Sequence, residues 1–322
     1  MLIGVTGGTG FVGHAVIDRL SRQDIRVVMA VRSGGRTLPR DWAAVNQIAI
    51  GEIDSRTDWS TALNGLDCVV HCAGQANSIS PGFQSQGATF NTVNVDGTRR
   101  LAEQAAALGV KRFIYISSLK VNCEKTLPGK PVRIGDPEAP EGPYAISKWE
   151  AECTLAEISL TTGMEVVVIR PPLIYGPRVQ GSFFQMLKWL HKGIPLPLGA
   201  IDNQRSFVSI DNLVALIVRC LTHPAAANRK FLVSDDDDMS TTQLLIRMAR
   251  ALETRSRLIK CSPFVICSAA KLIGKSGIGH RLTDNLVLDM SSTKQQLGWT
   301  PPFTVEESLK KTAHWYLENQ IS

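Results

Sequence analysis

Tyr144 and Lys148 stand four residues apart, and Ser118 lies 26 residues before the tyrosine. Four residues are about one helical turn, so the phenol and the amine share a helix face; Pro143 opens that helix. A free phenol, with a pKa of about 10, is a poor base at neutral pH. A nearby ammonium favours the phenolate and brings proton exchange into range. Ser118, ending a strand pattern, can hold the same oxygen. Such a trio puts a proton on, or takes one off, an oxygen at a carbonyl or carbinol carbon. It needs a carrier for the accompanying hydride.

The place for that carrier is at the start of the chain. The strand-like run Leu2-Ile3-Gly4-Val5 leads into Gly7-Gly8-Thr9-Gly10-Phe11-Val12-Gly13. A parallel strand entering a helix through a tight turn points backbone N–H groups at a pyrophosphate. Gly7 permits the turn, Gly10 lets phosphates approach the backbone, and Gly13 lets helix pack on strand. Phe11, Val12, Ala15, Val16 and Leu20 then form a helical apolar face, with Asp18, Arg19 and Arg22 outside. The Gly-x-x-Gly-x-x-Gly spacing differs from the Gly-x-Gly-x-x-Gly of many dehydrogenases.

With these motifs the chain resembles the extended short-chain dehydrogenase/reductases, the family of nucleotide-sugar epimerases, dehydratases and reductases. Val70-His71-Cys72-Ala73-Gly74 is similar to the end of that family's fourth strand. Asn94 to Thr98 is similar to the following helix start, and Tyr115 to Ser118 to the catalytic-serine strand. Arg170-Pro171-Pro172 to Pro177, and Arg205 to Asn212, resemble substrate-side signatures. The resemblance implies a doubly wound parallel α/β sheet of Rossmann type with a smaller C-terminal lobe for substrate. Residues 1–172 would bind the dinucleotide, with 204–228 returning to that domain; 173–203 and 229–322 would form the substrate lobe. It makes Ser118, Tyr144 and Lys148 catalytic and places Cys72, Ala73, Asn94, Lys148 and Pro171 around the cofactor. Asn94 would brace the loop near the lysine. Ser118 rather than Ser117 aligns with the family serine, because Val121 then matches a following valine.

Selectivity between nicotinamide nucleotides turns on the end of the second strand, where NAD-binding chains usually carry an acid. Here Val31 occupies that place and Arg32-Ser33 follow. A guanidinium can grip a 2′-phosphate that a carboxylate would repel, so NADP(H) is expected ahead of NAD(H), although Arg32 can equally stack on adenine. Glu52-Ile53 replaces the Asp and apolar residue that the family sets against adenine. On the substrate side, Arg205 would hold a diphosphate, or else pair with Asp211. Arg178 and Ser182 are further contacts, with Ser182 standing where related reductases carry Asn.

These features favour a reductase that converts a UDP-linked 4-keto-6-deoxy-hexosamine to UDP-N-acetylquinovosamine or a close relative, for surface polysaccharide. Ser117 to Asn122 and Leu196 to Ala200 are the segments most like such enzymes. The alternative is a 4-epimerase of a nucleotide sugar, or of its lipid-linked relative, that keeps NAD bound. A more remote alternative is an NAD(P)-sensing binding protein; such relatives commonly lack the tyrosine or lysine. A dehydratase would carry an acid pair near the serine, where this chain has Leu119 and Lys120.

Composition is that of a soluble globular chain, 44% hydrophobic and 20% charged. No apolar run reaches the roughly 18–20 residues that span a bilayer, and no basic stretch precedes the first strand, so neither a membrane span nor a secretory leader is expected. Seven cysteines without a Cys-x-x-Cys point to reduced thiols in the cytoplasm; Cys68, Cys72, Cys123 and Cys153 read as small buried residues. The net charge of +6 is scattered, which excludes a nucleic-acid partner and suits an anionic substrate. No metal site is expected: Asp235 to Asp238 reads as a solvated loop before a capped helix. Pro263 to Gly274, the most apolar late stretch, reads as a core helix.

Strands are expected near 2–6, 26–31, 46–50, 67–71, 111–116 and 165–170, and helices near 11–22, 59–64, 92–108 and 143–162. Residues 206–222, a strand and a helix, would return to the main sheet. The resemblance also implies a homodimer paired through the helices near 92–108 and 143–162, with Ala102, Ala105, Ala106, Ala145 and Ala151 permitting close packing.

Overall fold

The computed structural model describes all residues except 34–37, 40–41, 43–44, 77–89, 273–275 and 320–322. Its centre is a parallel sheet of strands β1 (Leu2–Thr6), β2 (Arg26–Val31), β3 (Val45–Ala49), β4 (Cys68–His71), β5 (Arg112–Ile116), β6 (Glu165–Arg170) and β9 (Arg229–Leu232). Their order is β3-β2-β1-β4-β5-β6-β9. The chain moves outward from β1 to β3, then restarts on the other side with β4, so the topological switch lies between β1 and β4. Ligands of open α/β sheets bind beyond the strand carboxyl ends at that point. The inner strands each carry an apolar run, with polar residues confined to their ends, because both faces are covered.

One face packs on α1 (Phe11–Ser21) and α6 (Ile210–Thr222); the core there joins Val16, Ile17 and Leu20 to Leu213, Leu216 and Ile217. The other packs on α3 (Gly97–Ala107) and α4 (Gly142–Thr162), with α2 (Ser60–Leu63) alongside, around Leu101, Ala105, Phe113, Ala151 and Leu155. A third core belongs to the C-terminal lobe. There α5 (Gly181–His191), α7 (Thr241–Ala251) and α11 (Val305–Glu318) enclose Phe183, Leu187, Leu245, Met248 and Leu309.

Two expectations need correction. The strand near 206, β8 (Phe207–Ser209), does not join the main sheet; it pairs in parallel with β7 (Leu173–Tyr175) as a separate two-stranded sheet, and only α6 returns. The seventh strand of the main sheet is β9, on β6, within residues assigned to the substrate lobe. It is a short edge strand whose first two residues, Arg229 and Lys230, are exposed, so it lacks an apolar run.

The acidic run is a loop whose Asp236 and Asp238 are exposed, but its first carboxylate is not solvated. Asp235 is buried and accepts from Tyr175 Oη at 2.7 Å, Ser209 N at 2.8 Å and Asn212 Nδ2 at 2.7 Å. Asp236 pairs with Lys294, Asp237 with Arg247, and Asp238 with Ser206. The helix after it is capped: Ser240 and Gln243 form a reciprocal capping box. Among the described residues no His, Cys, Asp and Glu group could hold a metal ion. Cys153, expected to be buried, is exposed on α4.

Candidate active site

The turn after β1 is built as its glycines require. Gly7 has φ +67°, and a Cβ on it would lie 2.7 Å from Ala73 N and 2.8 Å from Cys72 C. A Cβ on Gly13 would lie 2.3 Å from Gly7 O, so the helix approaches the turn more closely than any side chain allows. Gly10 caps α1 without a side-chain hydrogen bond, leaving first-turn N–H groups, including those of Phe11 and Val12, for an outside acceptor. Cys72 and Ala73 follow β4 across the switch point, and Pro171 follows β6. This backbone cradle, which a methyl group would fill, fits a dinucleotide diphosphate.

At the adenine end, Arg32 and Ser33 are exposed past β2, and Glu52 and Ile53 follow β3. Arg32 Nη1 lies 3.7 Å from Glu52 Oε1. The guanidinium therefore faces a carboxylate, which opposes the approach of a 2′-phosphate. Ile53 lies against the first residue of α3; a Cβ on Gly97 would be 2.4 Å from Ile53 Cγ2.

Tyr144 and Lys148 occupy the first two turns of α4, which starts at Gly142 with Pro143 in its first turn. Tyr144 meets Phe90 edge-on, ring centroids 6.1 Å apart. Burial pushes the phenol pKa up, and a hydrogen bond with Ser118 opposes it. Ser118 also caps a short 3₁₀ turn, Leu119–Val121, by accepting from Lys120 N at 3.3 Å. Ser117 turns the other way, donating to Glu152 Oε1 at 2.5 Å. The two adjacent serines are thus separated in role by strand alternation.

Lys148 is buried; its Nζ donates to Ile116 O at 2.9 Å and lies 4.6 Å from the Tyr115 ring centroid. Burial lowers its pKa to about 8, against the upward pull of the Glu152 carboxylate. Burial pushes the Cys72 thiol to about 12, so it is a neutral neighbour. A Cβ on Gly74 would come within 3.2 Å of Lys148 Nζ, which keeps the backbone past β4 close to the amine.

Asn94 sits in a π-helical turn, Asn91–Asp96, that runs directly into α3. It accepts from Gln75 N at 2.8 Å and donates to Gln75 O at 3.1 Å and Ser147 Oγ at 2.9 Å. One buried amide thus joins the segment past β4 to the residue before Lys148.

The substrate-side residues lie apart from this group in the lobe. Arg205 donates to Asp284 O at 2.9 Å. Its alternative partner is engaged elsewhere, since Asp211 pairs with Lys311 at 2.7 Å. Arg178 is exposed with φ +72° in the turn after β7, and Ser182 is exposed in the first turn of α5.

Glu152 escaped the sequence reading, although it continues the i, i+4 series of Tyr144 and Lys148. It is buried, and Arg170 Nη2 meets its Oε2 at 2.5 Å; Arg170 also reaches Asn122 Oδ1 at 3.0 Å and Glu138 Oε1 at 2.9 Å. His71 was quoted only as motif, yet it joins three elements: Nδ1 lies 2.6 Å from Thr6 Oγ1 and Nε2 2.9 Å from Thr98 Oγ1.

Residues 3–234 match the family model described as "NAD dependent epimerase/dehydratase family". A UDP-glucose 4-epimerase of Vibrio cholerae is 43% identical over 98% of this chain and 95% of that protein. The N-acetyl-alpha-D-glucosaminyl-diphospho-ditrans,octacis-undecaprenol 4-epimerase of Escherichia coli O157:H7 is 28% identical, covering 77% of this chain and 72% of its own. Among solved structures, a UDP-glucuronic acid 4-epimerase from Bacillus cereus in complex with NAD superposes with a TM-score of 0.79, at 20% identity and 99% coverage of each chain.

Proposed function

Because the chain belongs to the NAD dependent epimerase/dehydratase family, we propose that it is a nucleotide-sugar 4-epimerase that keeps its NAD bound. One observation carries the reading: 43% identity, running through 98% of the chain, to a UDP-glucose 4-epimerase. It supports the epimerase over the reductase, and the approach of Glu52 to Arg32 supports NAD over NADP. Leu119 and Lys120 after Ser118 still disfavour a dehydratase.

In this reading the dinucleotide supplies a reversible acceptor for the hydride on C4 of the sugar. Gly7, Gly10 and Gly13 admit its diphosphate, and Glu52 and Ile53 meet its adenosine end. Tyr144, as phenolate, takes the proton from the C4 hydroxyl and returns it to the same oxygen once the 4-keto sugar has turned its opposite face to the hydride carrier, which is what inverts C4. Ser118 holds that oxygen throughout, and the Lys148 ammonium stabilises the phenolate. Arg205, with Arg178 and Ser182, holds the nucleotide diphosphate in the C-terminal lobe. A homodimer through α3 and α4 belongs to the same proposal: Leu108, Ile146, Trp149 and Leu160 lie exposed there.

The test is to denature the purified protein, identify the released nucleotide, and assay UDP-glucose and UDP-galactose interconversion with no cofactor added. Stoichiometric NAD and turnover without added cofactor are expected. A protein free of nucleotide that consumes NADPH on a 4-keto sugar nucleotide would replace this reading with the reductase.

A further inference from the structure

Lys and Arg are spread along the chain, but one segment holds them without any acid to balance them. Residues 254–283 hold six of the 35 Lys and Arg and none of the 29 Asp and Glu, so the rest of the chain carries 29 of each sign. The same segment forms α8 (Pro263–Leu272) and α9 (Ser276–Thr283), packed on each other at the outside of the lobe. The sequence reads α8 as a core helix, but Phe264 is 78% exposed, Val265 52% and Leu272 88%, with Ile259 at 57% just before it. Phe264 and Val265 lie eight and seven residues from Leu272, so all three share one helix side. Ile266, by contrast, packs on the lobe core. Arg255, Arg257, Lys260, Lys271 and Arg281 are exposed in the same segment, and among the described residues none of the five forms an ion pair.

We propose that this α8 face docks on an anionic membrane surface. Large exposed apolar side chains on a segment whose only charges are cations match the boundary between acyl chains and negative headgroups. A nucleic acid would satisfy the cations but not Phe264 and Leu272. A second copy of the face would bring like charges together with nothing to neutralise them. No helix among the described residues is long and apolar enough to cross a membrane, so attachment is peripheral. The lobe that carries this face also holds the arginine assigned to the substrate diphosphate. The segment after α9 is tied to its loop by Asn203 Nδ2 to Asp284 O at 2.9 Å and Arg205 Nη1 to the same oxygen at 2.9 Å.

The full chain is sedimented with vesicles of phosphatidylcholine alone or mixed with phosphatidylglycerol, across a salt series. Binding to the mixed vesicles, released by salt and at least about tenfold weaker on the neutral ones, is expected. F264S/L272S and K260Q/K271Q should each weaken binding about tenfold or more, while bound nucleotide and sugar turnover stay unchanged. Three results would overturn the proposal. One is no binding to mixed vesicles at low salt. Another is binding to them, or to a DNA duplex, that F264S/L272S leaves intact. The third is self-association of the wild type that F264S/L272S abolishes, which assigns the face to a second copy. None of these bears on the nucleotide content, so the epimerase reading stands or falls separately.

Discussion

Lys148 is poised between opposed influences. Burial lowers its pKa to about 8, while the Glu152 carboxylate holds it up. Removing the Glu152 charge takes away one upward pull, so the ammonium is lost at lower pH and with it support for the Tyr144 phenolate. In E152Q the alkaline limb of kcat/KM should therefore move to lower pH. Arg170 would also lose a buried partner, which costs about 3–5 kcal/mol when such a pair is broken, so stability falls as well. S117A separates the two effects: it deletes the 2.5 Å bond to Glu152 but leaves the charge, and its alkaline limb should stay in place. If both limbs stay, Glu152 acts on structure alone. For the proton carrier itself, Y144F should lose about 10²–10⁴-fold in kcat with its bound nucleotide unchanged, as single-turnover and release measurements would report.

At the level of elements, His71 fastens β1, β4 and α3 at the switch point. Thr6 Oγ1 accepts from Ala73 N at 3.2 Å, which leaves its own proton to donate to Nδ1 of a neutral ring whose Nε2–H donates to Thr98. Burial, helped by the Lys148 charge, lowers the His71 pKa to about 3. Between the ordinary value of about 6.5 and that figure the unfolded chain binds a proton the folded chain refuses, so stability falls as pH falls, by about 1.4 kcal/mol per unit. Urea midpoints should drop from pH 7 to pH 5, ahead of carboxylate titration, whereas H71Q should be less stable at pH 7 but nearly flat over that range. An equal slope in both proteins would refute the clamp. This level also shows what the sequence reveals. The five inner strands, β1, β2, β4, β5 and β6, are legible to within a residue or so, because burial on both faces demands an apolar run. β9 is hidden because an edge strand beginning Arg229-Lys230 makes no such demand. Tyr144 and Lys148 announce themselves by helical spacing. The partners of Asn94, His71 and Arg170 come from elements far apart in the chain, and only the packed fold brings them together.

The whole molecule presents two apolar faces of different electrical character. On α4, Ile146, Trp149, Cys153, Ala156 and Leu160 are all exposed and recur at alternating intervals of three and four residues, the pattern of a helix seam. The alanines expected to permit helix pairing are not on it: Ala102, Ala105, Ala145 and Ala151 are buried inside the protomer, where they let α3 and α4 lie close to the sheet and to each other. The stripe explains the exposure of Cys153 as a small seam residue. Charges near it have both signs, with Glu150 and Glu157 on α4 and Arg99 and Glu103 on α3, so the face can meet its own copy across a two-fold axis without net repulsion. The α8 face has one sign only and cannot. In sedimentation velocity at micromolar concentration the wild type should run as a dimer and W149E/L160E as a monomer that keeps its nucleotide. F264S/L272S should remain dimeric. A wild-type monomer, or a dimer broken through α8 instead of α4, would reverse the assignment of the two faces.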